Sequence, residues 1–135
     1  AGTENILGSL NGVFFTDAST SKPTFANHLN ASNTATDIKA LVNDSPLQQY
    51  EVRSNNTGAS LQADVGATAD IEYTAGTTAN YVSRATLNDS TITTGVQQLK
   101  IIGVSRDPEN DDLTAANVVW RVIINQSVFE DTSGV

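Results

Sequence analysis

The strongest pattern of hydrophobic positions lies in two apolar stretches, residues 99–104 and 118–124, separated by an acidic segment that contains Pro108. In the second stretch, one face of an extended chain is wholly apolar: Val118, Trp120, Val122 and Ile124. β-branched side chains dominate it, which favours a strand over a helix. Since proline and Asn/Asp clusters favour turns, the pattern predicts two central strands joined through residues 106–112.

Shorter alternating segments predict further strands. They are residues 12–16 with Val13 and Phe15 inward, 23–25, 49–53 with Tyr50 and Val52 inward, 61–65, 69–73 with Ile71 and Tyr73 inward, and 81–87. Residues 37–42 fit one helical turn or a strand, and residues 88–95 fit a polar loop. Residues 1–10 have no evident strand partner within the chain and are interpreted as an arm that must dock to be ordered.

Seven to nine short strands without a convincing long helix predict an all-β fold. The expected architecture is an antiparallel β-sandwich, jelly-roll-like, or a barrel, formed by residues 1–135 as a single domain with an extended N-terminal arm. The predicted core is Val13, Phe15, Val52, Ile71, Ile101, Val118, Trp120, Val122 and Ile124.

Composition narrows the classes of function. The 135 residues carry a formal net charge of −8 with only seven Lys and Arg, so direct nucleic-acid binding is not expected. No apolar run approaches the ~20 residues of a membrane span, and no signal-peptide layout is visible. The start at Ala1 without Met suggests a processed or truncated N-terminus. Sparse charge, at 16% of residues, is typical of extracellular or shell-forming β domains.

Candidate catalytic groups are few. A Ser/His/Asp triad would require His28, the only histidine, and no serine lies in a Gly-x-Ser-x-Gly turn. His28 is interpreted as a loop residue, because no cysteine or acidic partner is close in sequence. Asp70 and Glu72 are interpreted as solvated charges on one strand face rather than an acid and base pair. We therefore predict no enzymatic activity, no catalytic residues and no cofactor.

The acidic turn is the best candidate for an ion site. Asp107, Glu109 and Asp111 alternate, with Asn110 and Asp112 beside them, and such oxygen ligands can wrap Ca²⁺. The turn lacks the glycine and distal glutamate of a full calcium loop. A charged cap that keeps a hairpin soluble is therefore the favoured interpretation, with no metal. Five glycosylation sequons, at Asn30, Asn43, Asn55, Asn88 and Asn125, are expected by chance in so Asn-, Ser- and Thr-rich a chain.

An ordered set of segments resembles a family of tailed-bacteriophage head decoration, or cement, proteins. The segments are residues 99–104, 107–110 and 120–125, and upstream 7–8, 12–17, 22–25, 43–46, 50–52, 64–66, 69–70, 83–84 and 87–91. The resemblance covers nearly the whole chain. Relatives often carry a further segment before Leu7-Gly8, and usually an acidic residue where this chain has Gln126.

The resemblance implies a structural protein of the virion, made in the cytoplasm of a host bacterium and seated on the exterior of the phage head. Its expected partner is the major capsid protein, and its expected state is a homo-oligomer, a trimer at sites where capsid subunits meet. The alternative is a carbohydrate-binding or adhesin-type β-sandwich of a surface or tail protein, displaying Trp120, Tyr73 or Tyr81. Trp120 lies in the most apolar strand, which argues for a core position instead.

Overall fold

The computed structural model describes residues 4–77 and 79–129. Eight strands follow one another: β1 Ser9–Thr16, β2 Pro23–Ala26, β3 Lys39–Asn43, β4 Gln49–Arg53, β5 Thr68–Glu72, β6 Thr86–Thr93, β7 Leu99–Val104 and β8 Val119–Ile124. The only helical turns in the described ranges are two 3-10 turns, Gln62–Asp64 and Pro108–Asn110. The strands form two antiparallel sheets, ordered β2-β1-β3 and β4-β8-β7-β5-β6. The all-β prediction is thus confirmed in sandwich-type form, while the jelly roll stays a prediction.

The larger sheet is organised around β8, as the sequence pattern predicted. Its residue Trp120 pairs with Val52 on β4, and Val122 pairs with Ile101 on β7. Because paired residues point to the same face of a sheet, the apolar face of β8 extends across its neighbours. The buried cluster that results is Ala69, Leu87, Leu99, Ile101, Val118, Trp120 and Val122. Of the predicted core, Val52 and Ile71 are only partly buried and pack against this cluster.

The larger sheet curls until its two edge strands meet. Ser54, just after β4, forms a parallel bridge with Leu87 on β6. The Asn55 amide donates to the Leu87 carbonyl at 2.9 Å. This closure surrounds the apolar face of the sheet, which explains why Trp120 and Leu87 have no exposed surface.

The smaller sheet buries the predicted face of β1. Val13 and Phe15 are buried, and β1 pairs with β2 on one side and β3 on the other. The sequence of residues 37–42 fits either one helical turn or a strand, and most of these residues form β3. Asp37, just before β3, accepts hydrogen bonds from the Thr16 amide at 2.9 Å and the Thr16 hydroxyl at 2.7 Å. This contact ties the entry to β3 to the end of β1.

The N-terminal arm docks on the chain itself, contrary to the expectation that it has no strand partner there. Ile6 forms a parallel bridge with Ser127, and its amide donates to the Gln126 carbonyl at 2.8 Å. The Gln98 side chain donates to the Glu4 carbonyl at 3.1 Å. Residues 9 and 10 belong to β1. Residues 1–3 of the predicted arm lie outside the described residues.

Two predicted strands are wrong. Residues 61–65 contain the 3-10 turn Gln62–Asp64, in which the Asp64 carboxylate accepts from the Leu61 amide at 2.7 Å. Residues 81–85 are not a strand, and Tyr81 has a positive φ of 53°. The strand instead runs from Thr86 to Thr93, through the segment interpreted as a polar loop. Its polar residues have partners across the closure, including the Asp89 amide, which donates to Asn55 at 3.1 Å.

The burial pattern of β5 also differs from the prediction. Asp70 is buried and Tyr73 is 79% exposed, whereas the alternation placed Tyr73 inward and Asp70 in solvent. The register of β5 against β6 shifts between Thr68 and Asp70, and this irregularity breaks the simple alternation. Glu72 is exposed, as predicted. Across the described ranges, no helix has the length and apolar character needed to cross a membrane.

Candidate interaction surface

One face of the smaller sheet carries a cluster of exposed apolar side chains beside Lys39, the β3 partner of Phe14. We call Phe14, Phe25 and Leu41 the outer face; their exposed fractions are 41%, 60% and 49%. Phe14 pairs with Phe25 on β2, while Gly12 pairs with Leu41 on β3. Cross-strand partners share a face, so the three side chains point away from buried Val13 and Phe15. An exposed apolar cluster of this kind is typical of an interaction surface.

Gly12 leaves room for the Phe25 ring of the outer face. A Cβ atom at Gly12 would be 2.5 Å from Cζ of Phe25, so the ring would have to move if Gly12 carried a side chain. The Phe25 ring therefore lies directly over the backbone of β1, where a larger residue would displace it. The sequence predicted the inward residues of β1 but not this face, because Phe14 and Phe25 are brought together only by the strand register.

Charge is unevenly distributed between the two sheets. Residues 9–43, which form the smaller sheet and its loops, contain Lys22 and Lys39 against Asp17 and Asp37, a balance of zero. The chain as a whole carries −8, so the excess lies elsewhere. Hydrogen bonds from Ser19 and Thr20 lower the pKa of Asp17 to about 2. The outer face thus belongs to the electrically neutral part of an acidic protein.

The acidic turn after β7 is held by its own side chains. Asp107 accepts from the Glu109 amide at 3.1 Å, at the start of the Pro108–Asn110 turn. The Asn110 amide group donates to the carbonyls of Val119 at 2.9 Å and Ser105 at 3.3 Å, and it accepts from the Val119 amide at 2.8 Å. Asn110 thus links the turn to the first residue of β8. Within the described ranges, no group of three or more His, Cys, Asp or Glu side chains is arranged to hold a metal ion.

His28 stacks on Tyr81 and lines an open cavity of about 310 Å³ with Asp17 and Ser19. The ring centroids of His28 and Tyr81 are 3.5 Å apart, and His28 Nδ1 lies 2.7 Å from Asn27 Oδ1. The Ser19 hydroxyl donates to Asp17 at 2.6 Å. Serine and histidine therefore have different partners here, which is not the hydrogen-bonded arrangement of a catalytic triad.

Asp70 and Glu72 do not form the pair of solvated charges that the sequence suggested. It is buried beside Gln97, and with the Gln97 amide nitrogen turned toward it, that nitrogen lies 2.8 Å from Asp70 Oδ1. Glu72 accepts instead from the side chain of Asn55. The two carboxylates lie on the same face of β5, being two residues apart, but they have separate partners.

The sequon asparagines have structural contacts. Asn125 donates to the Gln97 carbonyl at 2.8 Å, and Asn43 donates to the Gln48 side chain at 3.2 Å. Asn30 accepts from Ser32, and Asn55 and Asn88 both accept from the Thr57 hydroxyl. These side chains stabilise turns and the junction between β4 and β6.

The sequence did not single out Ser54 and Asp89, which form a buried pair at the sheet closure. Both are buried, and the Ser54 hydroxyl donates to Asp89 Oδ2. Burial raises the pKa of the Asp89 carboxyl, the Ser54 and Asn56 hydrogen bonds oppose the rise, and the like charge of Asp64 adds to it. Ser54 and Asp89 lie in or beside segments whose sequence predicts turns. Their pairing therefore depends on the tertiary contact between the end of β4 and β6.

Comparisons with known proteins add no assignment: no protein-family model, no curated protein and no solved structure gives a significant match to this chain.

Trp120, one of three aromatic residues considered for a carbohydrate platform, is fully buried in the larger sheet and is not available to a ligand. Tyr73 and Tyr81 are exposed.

Proposed function

We propose that this protein is a decoration or cement protein of a tailed-phage head, bound to the outside of the capsid shell and stabilising it. The observation that carries the proposal is the outer face. Phe14, Phe25 and Leu41 present adjoining apolar surface on three strands of one sheet, and apolar surface of that kind is stabilised when a partner covers it. In the proposal, the partner is the major capsid protein.

The charge distribution supports attachment through the outer face. A neutral contacting region lets an acidic protein attach without depending on the charge of the shell. The smaller sheet provides such a region, because its two lysines and two aspartates balance. The excess negative charge then lies on the part of the chain that faces solvent.

The proposed assembly is a trimer at positions where three capsid subunits meet. A closed ring of three chains presents three outer faces at once, so that individually weak contacts add up to firm attachment. The resemblance to phage decoration proteins in the segments 99–104, 107–110 and 120–125 supports the same assignment. The proposal includes no catalytic step and no cofactor.

The test compares purified phage heads with and without this protein. We expect heads that carry it to survive higher temperature and stronger osmotic shock, and to contain it in a fixed ratio to the capsid protein. Light scattering on the free protein should give three times the 14.2 kDa chain mass. Heads of equal robustness without the protein, together with its absence from purified particles, would overturn the function, and a monomer in solution would overturn the trimer alone.

A further inference from the structure

Strand β3 forms an open edge of the smaller sheet, because it pairs only with β1. Within the described ranges, the Asn43 carbonyl accepts from the Tyr50 hydroxyl at 3.3 Å, and no other backbone group of β3 has a hydrogen bond outside the pairing with β1. Successive residues of a strand direct their N–H and C=O groups to opposite sides. Alternate backbone groups of β3 therefore point away from the sheet without a protein partner.

This edge is accessible to another chain. Ala40 pairs with buried Val13 and so points to the inner face of the smaller sheet, yet Ala40 is exposed. Lys39 and Leu41, on the opposite face, are exposed as well. Solvent thus reaches both faces of β3 over its first three residues, and a further strand can approach the edge there.

Other strand edges of the protein are protected. β2 has only four residues and begins with Pro23, which has no backbone donor and is typical of an edge that does not pair further. In the larger sheet, the bridge between Ser54 and Leu87 brings the two edge strands together. β3 contains no proline, its only charged residue is Lys39 at the start, and residues 40–42 are apolar. Such an edge favours the addition of another strand.

Lys39 indicates the chemistry of the added strand. It has no ion-pair partner among the described residues, although its charge contributes to the lowered pKa of Asp37. The Asp37 carboxylate is already held by the amide and hydroxyl of Thr16. A carboxylate directly opposite Lys39 would form a favourable cross-strand pair, and Leu41 on the same face favours an apolar residue opposite it.

We infer that β3 accepts an extended segment of the partner protein as a fourth, antiparallel strand of the smaller sheet, with an apolar residue opposite Leu41 and an acidic residue opposite Lys39. The strand would extend the outer face, to which Leu41 belongs, and its backbone would satisfy the free groups of β3. A second copy of this chain, paired through β3 about Leu41, would instead place Lys39 opposite Asn43 and leave the lysine without a carboxylate. The inference rests on the proposed attachment to the capsid protein and specifies the element that the capsid protein contributes.

The first experiment uses the isolated full chain, so its outcome does not depend on capsid binding. The isotopically labelled protein is titrated with the peptide acetyl-Thr-Thr-Val-Thr-Glu-Thr-amide, in which valine faces Leu41 and glutamate faces Lys39, and amide chemical shifts are followed. We expect saturable shifts at residues 39–43 and none at residues 23–26, with a dissociation constant on the order of 1 mM. Absence of saturable shifts at residues 39–43 would overturn the inference.

Two N-methylated forms of the peptide distinguish strand addition from contact through side chains. One is methylated at the valine and glutamate nitrogens, and the other at the nitrogens of the second and third threonines. Only alternate N–H groups of an added strand point toward β3. We therefore expect one form to bind like the unmodified peptide and the other to lose binding at least tenfold. Equal binding by the two forms would overturn the inference.

A charge exchange tests the position of Lys39. Lys39→Glu should weaken binding of the peptide by about two- to fivefold, as expected for one exposed cross-strand pair, and a peptide with lysine in place of glutamate should restore it. Lys22→Glu makes the same change of charge in the turn before β2 and should have no effect. Equal effects of the two substitutions would overturn the pairing with Lys39.

Two further outcomes separate this inference from the proposed function. Shifts at residues 39–43 that depend on protein concentration without peptide would assign the edge to a second copy and overturn the inference. Attachment of the protein to phage heads, with amides of residues 39–43 that exchange with solvent equally fast in the free and attached protein, would also overturn it and leave the proposed function standing. Slower exchange of these amides on the heads, with unchanged exchange at residues 23–26, is the expected result.

Discussion

For Trp120, the sequence predicted the burial of the side chain but not its hydrogen bonding. Its position in an alternating β-branched stretch predicted burial, and the structure confirms that it has no exposed surface. The alternation could not show that Trp120 Nε1 has no hydrogen-bond partner, because partners depend on the closure of the sheet.

We expect Trp120→Ala to lower the free energy of unfolding by about 3–5 kcal/mol, because it leaves a cavity at the centre of the buried cluster. Chemical denaturation measures this directly. Leu47→Ala, at a position 80% exposed, is the matched control and should change stability by less than about 0.5 kcal/mol. A loss for Trp120→Ala no larger than that of the control would contradict the burial of the ring.

Asp89 makes stability depend on pH in an unusual direction for an aspartate. Its pKa is raised in the folded protein above the ordinary 3.8, mainly by burial, so the folded state binds a proton before the unfolded state does. The free energy of unfolding should therefore rise as pH falls from neutral through the folded pKa toward 3.8. Asp17, Asp37 and Asp112 have lowered pKa values, so their contributions are lost only below 3.8 and do not mask this effect.

The measurement is the free energy of unfolding of the unaltered chain and of Asp89→Asn between neutral pH and pH 4. The groups around Asp89 are Ser54, Asn56 and Asp64, and all three remain in the variant. We expect the stability difference between the two proteins to shift in favour of the unaltered chain on acidification. Parallel pH curves would show that the Asp89 pKa is not raised.

At the scale of elements, the sequence predicted strands well where apolar alternation was strong and poorly where polar side chains dominated. β7 and β8 were recognised from their β-branched residues. Most of the β6 sequence predicts a loop, because Asn88, Asp89 and Ser90 are turn-forming residues. Their partners, Asn55 and Thr57, are more than thirty residues away, and no local pattern contains that information.

The acidic turn before β8 should depend on Asn110 rather than on its carboxylates. Asn110→Ala would leave the backbone groups of Val119 and Ser105 without these partners, and we expect a loss of about 1–3 kcal/mol in the free energy of unfolding. Asp111→Ala, at an exposed neighbour, is the control and should have a much smaller effect. A melting temperature that falls by several degrees with a chelator and recovers with Ca²⁺ would instead show that the turn is a metal site.

At the scale of the whole molecule, the two sheets differ in what they leave exposed. The larger sheet closes around its apolar face, whereas the smaller sheet buries Val13 and Phe15 and leaves Phe14 and Phe25 outside. The sequence predicted an all-β molecule, but not this division, because it depends on which strands pair. The outer face, which is the proposed docking surface, can therefore be altered by substitution without disturbing the buried core.

We expect Phe25→Ser to weaken attachment to purified phage heads at least tenfold while the melting temperature changes little. The reason is that Phe25 is 60% exposed, so its removal costs the fold little, but a large apolar side chain at a covered interface is worth more than 1.4 kcal/mol, the equivalent of tenfold. The control is Val96→Ser, since Val96 is 74% exposed beside the larger sheet and should leave attachment unchanged. Co-sedimentation of each variant with heads that lack the protein measures the difference. Equal attachment of both variants would show that the outer face is not the docking surface, and attachment lost only in Val96→Ser would move the contact to the larger sheet.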